Sequence, residues 1–185
     1  MFKYKKILNF PVNIKSKDLK MAKLIITQLG GYAGELGASL RYFCQKFTMP
    51  DDEGKALLND IATEELGHVE MISSILTGLM KNASLKELQD AGLDGYYVEH
   101  GKGIYPLNTG EVEFDTKLFA VTGDPIIDLE EDLAAEEKAR IVYERLIDYA
   151  KTDDLIAPLL FLRQREIVHY NRFKELLDKY KNMKK

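Results

Sequence analysis

Glu35, Tyr42, Glu65 and His68 recur as Glu136, Tyr143, Glu166 and His169, each 101 positions further along the 185-residue chain. A glutamate and a histidine three apart on a helix share one face, so each Glu-x-x-His offers an oxygen and a nitrogen to the same point. Two such pairs, with one further carboxylate from each of two other helices, are the donor set by which a four-helix bundle holds two metal ions in its core. Mixed carboxylate and imidazole ligation suits manganese or iron better than metals that prefer thiolates. Burying four carboxylates without a cation would be expensive, and a dinuclear cluster removes that cost.

Neighbouring acids compete for these roles, and the repeat decides between them. Glu64 is four before His68, but its counterpart 101 positions on is Arg165, so Glu65 is selected. Glu137 yields to Glu136, which alone matches Glu35. Tyr42 and Tyr143 lie two helical turns beyond Glu35 and Glu136, where their hydroxyls can hydrogen-bond ligands from outside the metal shell. Gly31, Gly34 and Gly37 fall mid-helix in this reading; they serve close helix packing or leave room for a substrate path beside Glu35. No strand precedes them and no Gly-Lys-Ser/Thr follows, so they are no phosphate loop.

Four elements must position these groups, within one ferritin-like domain over 1–185. Helical signals predict helices over about 18–47, 51–80, 124–150 and 153–181, with capping residues at Asp18 and around Pro50-Asp51, Asp124-Pro125 and Thr152-Asp153-Asp154. Pro158 falls early in the last helix, where a proline is tolerated. Residues 1–17 read as an extended arm that packs on a neighbour. Residues 81–123, punctuated by glycines, read as a crossover with a helical turn near 84–90 and His100 in a loop. The fold class is therefore all-α: two antiparallel helical hairpins joined by a long crossover, a ferritin-like four-helix bundle. In an antiparallel hairpin, residues equidistant from the turn share a height. Glu35 and Glu65 are centred on Pro50, and Glu136 and Glu166 on Lys151, both in turns. At 1.5 Å per residue all four glutamates lie about 22 Å from their turns, on one level.

Composition narrows the function classes. A net charge of −4 and no basic stripe argue against nucleic acid as a partner. The longest apolar runs are far short of a membrane span. One cysteine permits no intrachain disulfide, and no secretory signal is recognisable; both point to synthesis in a reducing cytosol.

The stretch from Gly123 to Arg140, Gly-Asp-Pro-x-x-Asp-Leu-x-Glu-Asp-x-Ala-Ala-Glu-Glu-Lys-Ala-Arg, resembles the third core helix of the manganese catalase family. The resemblance covers roughly residues 18–180 and is closest to the short spore-coat branch, the CotJC type. The length agrees, since the longer members carry a C-terminal extension. The resemblance implies that Glu35, Glu65, His68, Glu136 and His169 bind two manganese ions. Glu65 would bridge them, Glu35 and His68 would complete one ion, and Glu136 and His169 the other. Glu166 would be a catalytic proton shuttle rather than a ligand, whereas the symmetric di-iron reading makes it a ligand like Glu65. Ala135 stands where some members place an arginine near the site.

The implied function is a dinuclear manganese catalase that disproportionates hydrogen peroxide to dioxygen and water. It would be homo-oligomeric and assembled with other proteins into the spore coat. Two readings compete with it: a di-iron oxidase or ferroxidase of the same fold, and a structural coat protein whose cluster stabilises the fold.

Overall fold

The computed structural model describes residues 3, 5, 7–117 and 119–183. Residues 1, 2, 4 and 6 of the expected arm lie outside them. Among the described residues there are seven α-helices and no strand beyond one isolated bridge, Leu107 to Glu113. The helices are α1 (Leu19–Gly30), α2 (Glu35–Gln45), α3 (Asp52–Leu79), α4 (Leu85–Asp90), α5 (Asp94–His100), α6 (Pro125–Tyr149) and α7 (Asp153–Met183). A 3-10 turn, Lys46–Thr48, follows α2. α2 pairs with α3 and α6 with α7, each through a short turn, while α1 lies on α3.

The caps show why the chain divides there. Asp18, Asp51 and Asp124 each accept from backbone amides at the starts of α1, α3 and α6, satisfying donors that a helix start leaves open. Pro125 at the first helical position of α6 loses no hydrogen bond. Ser84 and Glu87 form a reciprocal capping box for α4.

One expected helix is two. The segment 18–47 breaks between Gly30 and Glu35, so Gly31 and Gly34 are cap residues and not mid-helix positions. A side chain at Gly34 would place its Cβ 2.7 Å from the Gln28 carbonyl oxygen, a backbone contact that nothing can relieve. At Gly30 the crossover presses in, and a Cβ would lie 2.2 Å from the Pro106 carbonyl carbon. The crossover itself is more ordered than a plain connection. α4 and α5 bury Leu88, Leu93 and Tyr96 against the bundle. His100 ends α5 instead of lying in a loop, and its ring stacks on Tyr105 with centroids 3.6 Å apart. Within the described part of the arm, Phe10 stacks on Phe161 at 5.2 Å and Ile14 sits over Gly78, so this part lies along its own bundle.

Two apolar clusters fill the bundle. One, containing Ile25, Ile72, Leu76, Tyr143, Leu159 and Leu162, occupies the end covered by the crossover. The other, containing Tyr42, Leu58, Ile61, Leu129, Phe173 and Leu176, occupies the end near the hairpin turns. Along α3 the first cluster begins at Met71 and the second ends at Ala62; along α7 the boundaries are Leu162 and Phe173. Glu65, His68, Glu166 and His169 fall in these gaps. Each fully buried Leu or Ile contributes about 1.5–3 kcal/mol, which holds the polar layer between them in place.

Candidate metal centre

The polar layer is buried. Glu65, His68 and His169 are fully buried, and Glu35, Glu136 and Glu166 are no more than 3% exposed. Glu35 owes its place to the helix break: it is the first residue of α2, where the positive end of the helix dipole favours a carboxylate. Glu65 and His68 share one face of α3, Glu166 and His169 one face of α7, and Glu136 comes from α6. The repeat therefore delivers all six groups to one level.

Their geometry is not two equal halves. Glu65 turns one oxygen to each histidine: Oε2 lies 2.6 Å from His68 Nδ1, and Oε1 lies 2.9 Å from His169 Nδ1. Glu35 stands 3.4 Å from His68 Nδ1, and Glu136 stands 3.6 Å from His169 Nδ1. None of these ring nitrogens or Glu65 oxygens makes a hydrogen bond. Buried polar atoms this close and without a hydrogen-bond partner call for one that the chain itself does not supply. Donor atoms of Glu35, Glu65, His68 and Glu166 lie within 4.8 Å of one another, as do those of Glu65, Glu136 and His169. Glu65 belongs to both groups and Glu166 to one.

The electrostatics call for cations. Burial, reinforced by the charge of Glu65, pushes the Glu35 carboxyl up to about 7. Burial and the charges of Glu35, Glu136 and Glu65 push Glu166 well above the carboxylate range. Burial works against a charged His68, but Glu65 and Glu35 outweigh it and lift the imidazole to about 10. Four buried carboxylates want positive charge at the histidine faces, and two divalent ions supply it by displacing protons. The donors are nitrogen and oxygen only, since Cys44 is exposed on the outside of α2, so the set fits manganese or iron.

The tyrosines cross over. Tyr42, on the helix of Glu35, donates to Glu136; Tyr143, on the helix of Glu136, donates to Glu35. Each hydroxyl rises from its own apolar cluster to hold the carboxylate of the other hairpin.

Three groups escaped the sequence reading. Glu64, set aside in favour of Glu65, is buried on the outer side of both rings, 3.2 Å from His169 Nε2 and 3.8 Å from His68 Nε2. One carboxylate thus sits behind both imidazoles, at ion-pair distance from their outer nitrogens. Arg165 pairs with Glu64 at 2.5 Å, so the two residues that the repeat matches but chemistry does not are in contact. The other two are Arg41 and Asp132. Arg41 donates to the Tyr42 hydroxyl at 3.1 Å and lies 3.4 Å from Asp132. It lines the same small chamber as Ala135, so a guanidinium reaches that place from α2. Burial pushes the Asp132 carboxyl up to about 8, even with Arg41 beside it. A signal was available: Asp128, Asp132 and Glu136 repeat every four residues along one face of α6, and all three are buried.

Comparison with known proteins agrees with this geometry. The family model for manganese containing catalase matches residues 1–185. Protein CotJC of Bacillus subtilis (strain 168) is 45% identical over 178 residues, 96% of this chain and 94% of that protein. A probable manganese catalase of Clostridium acetobutylicum is 33% identical, covering 98% of this chain and 82% of that one. The crystal structure of KatB, a manganese catalase from Anabaena, superposes with a TM-score of 0.85 at 31% identity, over 97% of this chain and 81% of that one. On sequence, fold and donor set together, the chain belongs to the manganese-containing catalase family.

Proposed function

We propose that the protein is a dinuclear manganese catalase, converting two molecules of hydrogen peroxide into two of water and one of dioxygen. The observation that carries this reading is the division of labour at the centre. Glu65 addresses both histidines and belongs to both groups of donors, whereas the buried Glu166 belongs to only one. Glu65 would be shared between two manganese ions, with Glu35 and His68 holding one and Glu136 and His169 the other. When bound, a pair of adjacent manganese ions supplies a two-electron redox change, so one peroxide is reduced to water and the next oxidised to dioxygen.

The chain's own residues manage position and protons. Glu64 holds the histidines from behind, and Tyr143 and Tyr42 hold Glu35 and Glu136. The protons released as one peroxide becomes dioxygen are those needed as the other becomes water. Glu166, kept protonatable by burial beside three carboxylates, takes a proton at Oε1 and returns it. Arg41, through Tyr42, steadies the Glu136 side.

Metal analysis with oxygen release from peroxide tests the reading. Two manganese ions per chain and vigorous oxygen release are expected; an iron-loaded protein that releases none would overturn it in favour of an oxidase. We also propose assembly as a homo-oligomer with other proteins of the spore coat. The likeness to the spore-coat branch and the 45% identity to Protein CotJC support this. Its absence from purified coat fractions would refute it.

A further inference from the structure

We infer that hydrogen peroxide reaches the centre through the break between α1 and α2, past a collar of alanines that passes one small neutral molecule at a time. The inference rests on the catalase reading and adds the path and the residues that set its width.

Two cavities meet at the break. The outer one, about 470 Å³, is a surface groove between the break, the crossover at Asn108–Val112 and the outer face of α6. The inner one, about 10 Å³, has Glu35, Glu136 and Glu166 in its wall. That volume is about one water molecule's worth of centre positions, enough for a single small solute. Ala33, Gly34 and Ala139 line both cavities, so these small residues stand between the surface groove and the centre, and the proposed neck runs past them. Beyond the neck the inner wall is again small, at Ala38 and Ala135. Glu166 stands in the inner wall, 3% exposed, and its Oε1 has no hydrogen-bond partner. An unpaired buried oxygen at the end of a narrow apolar neck is a place for a small hydrogen-bond donor.

The sequence builds this neck deliberately. A continuous helix over 18–47 would lay side chains across the opening. The break instead carries Tyr32 to the surface beside the outer cavity and leaves Ala33 and Gly34 as its residues that line both cavities. A Cβ at Gly34 would strike the Gln28 and Thr27 carbonyl oxygens, so no larger residue can stand there. The other approach is closed. A cavity of about 440 Å³ reaches Glu64 from the α3–α7 side, but the Arg165–Glu64 pair and the two imidazole rings lie between it and the inward-facing nitrogens. Alkyl hydroperoxides, wider than one water, do not pass the neck.

Ala33→Leu and Ala139→Leu test the route. Ala33 lies outside any helix on a half-exposed segment, so its variant keeps the assay available if the α6 variant fails to fold. Both variants are expected to retain two manganese ions per chain. Each should lower kcat/KM for hydrogen peroxide by about tenfold or more, with the loss mainly in KM. Crystal structures of the manganese-loaded proteins give a readout independent of activity. An ordered water should sit between Ala33 and Ala139 in the parent and be displaced in both variants. Values of kcat/KM within about twofold of the parent, with that water displaced, would overturn the route. No ordered water at the neck of the parent would overturn it too. A parent that binds two manganese ions but releases no oxygen would overturn the activity, and the water alone would then decide the route.

Discussion

The two hairpins carry the same ligand pattern at a fixed offset, yet fold differently around it. The second is two uninterrupted helices, α6 and α7; the first has its leading helix cut at Gly31–Gly34. The cut starts α2 at Glu35 and opens the wall beside it, whereas Glu136 lies in the middle of α6. The second acids diverge as well. Glu65 turns an oxygen to each histidine and belongs to both donor groups, and its counterpart Glu166 belongs to one and stands in the wall of the inner cavity. Equal sequence halves thus make a centre whose second acids are placed differently. A repeat fixes height in a bundle, and each side chain's role is set by what packs outside it.

The comparison is broken most severely at the two acids. Glu65→Gln is expected to lose both ions on dialysis, because neither group of donors is complete without it. Glu166→Gln should keep both and lose about 10²–10⁴-fold in kcat, the range for a missing acid–base group. Metal content and oxygen-electrode rates on the two variants decide this, and equal metal loss in both would restore a symmetric centre. A smaller effect separates the tyrosines. Tyr42→Phe and Tyr143→Phe should each destabilise by about 1–3 kcal/mol in urea, the cost of a buried acceptor losing its donor. Tyr42→Phe should cost more, because it also takes a partner from Arg41; the reverse order would remove Arg41 from the Glu136 side.

The smallest expected effect concerns the hairpin turns. Asp51 is held down to about 2 from an ordinary 3.8, first by Lys179 and then by the Gly54 amide and Tyr180. A carboxyl depressed on folding stabilises above its unfolded pKa, and that stability is lost as pH falls from about 4 to 2. Asp51→Asn keeps a good helix cap and removes the charge, so it should cost about 0.5–1 kcal/mol near neutrality, after allowance for solvent screening. The difference from the parent should vanish towards pH 2. A difference that persists there would assign the effect to the cap and not to the ion pair.

The level of the centre was legible because height along an antiparallel hairpin is linear in residue number, so Glu35 and Glu65 could be matched without a structure. The break was not legible. Gly31 and Gly34 were visible, but close packing and a chain break use the same residue, and only the approach of the Thr27 and Gln28 carbonyls separates them. The mismatch in the repeat, Glu64 against Arg165, set Glu64 aside as a ligand, and the donor groups leave it out; the pairing of the two went unread, although opposite charges at matched positions of two facing helices can be partners. The crossing of the tyrosines depends on how far each side chain leans along the bundle, which spacing does not encode.

That crossing has a consequence for assembly. Each hydroxyl reaches a carboxylate 94 or 108 residues away in the chain, while α2–α3 and α6–α7 close through short turns. Local pairings form quickly and long-range ones late, so the centre is completed only when finished hairpins dock. Docking in a wrong register strands two buried phenols and their acceptors, at about 1–3 kcal/mol for each unsatisfied group. The metal centre is thus also a proofreader of the fold that builds it.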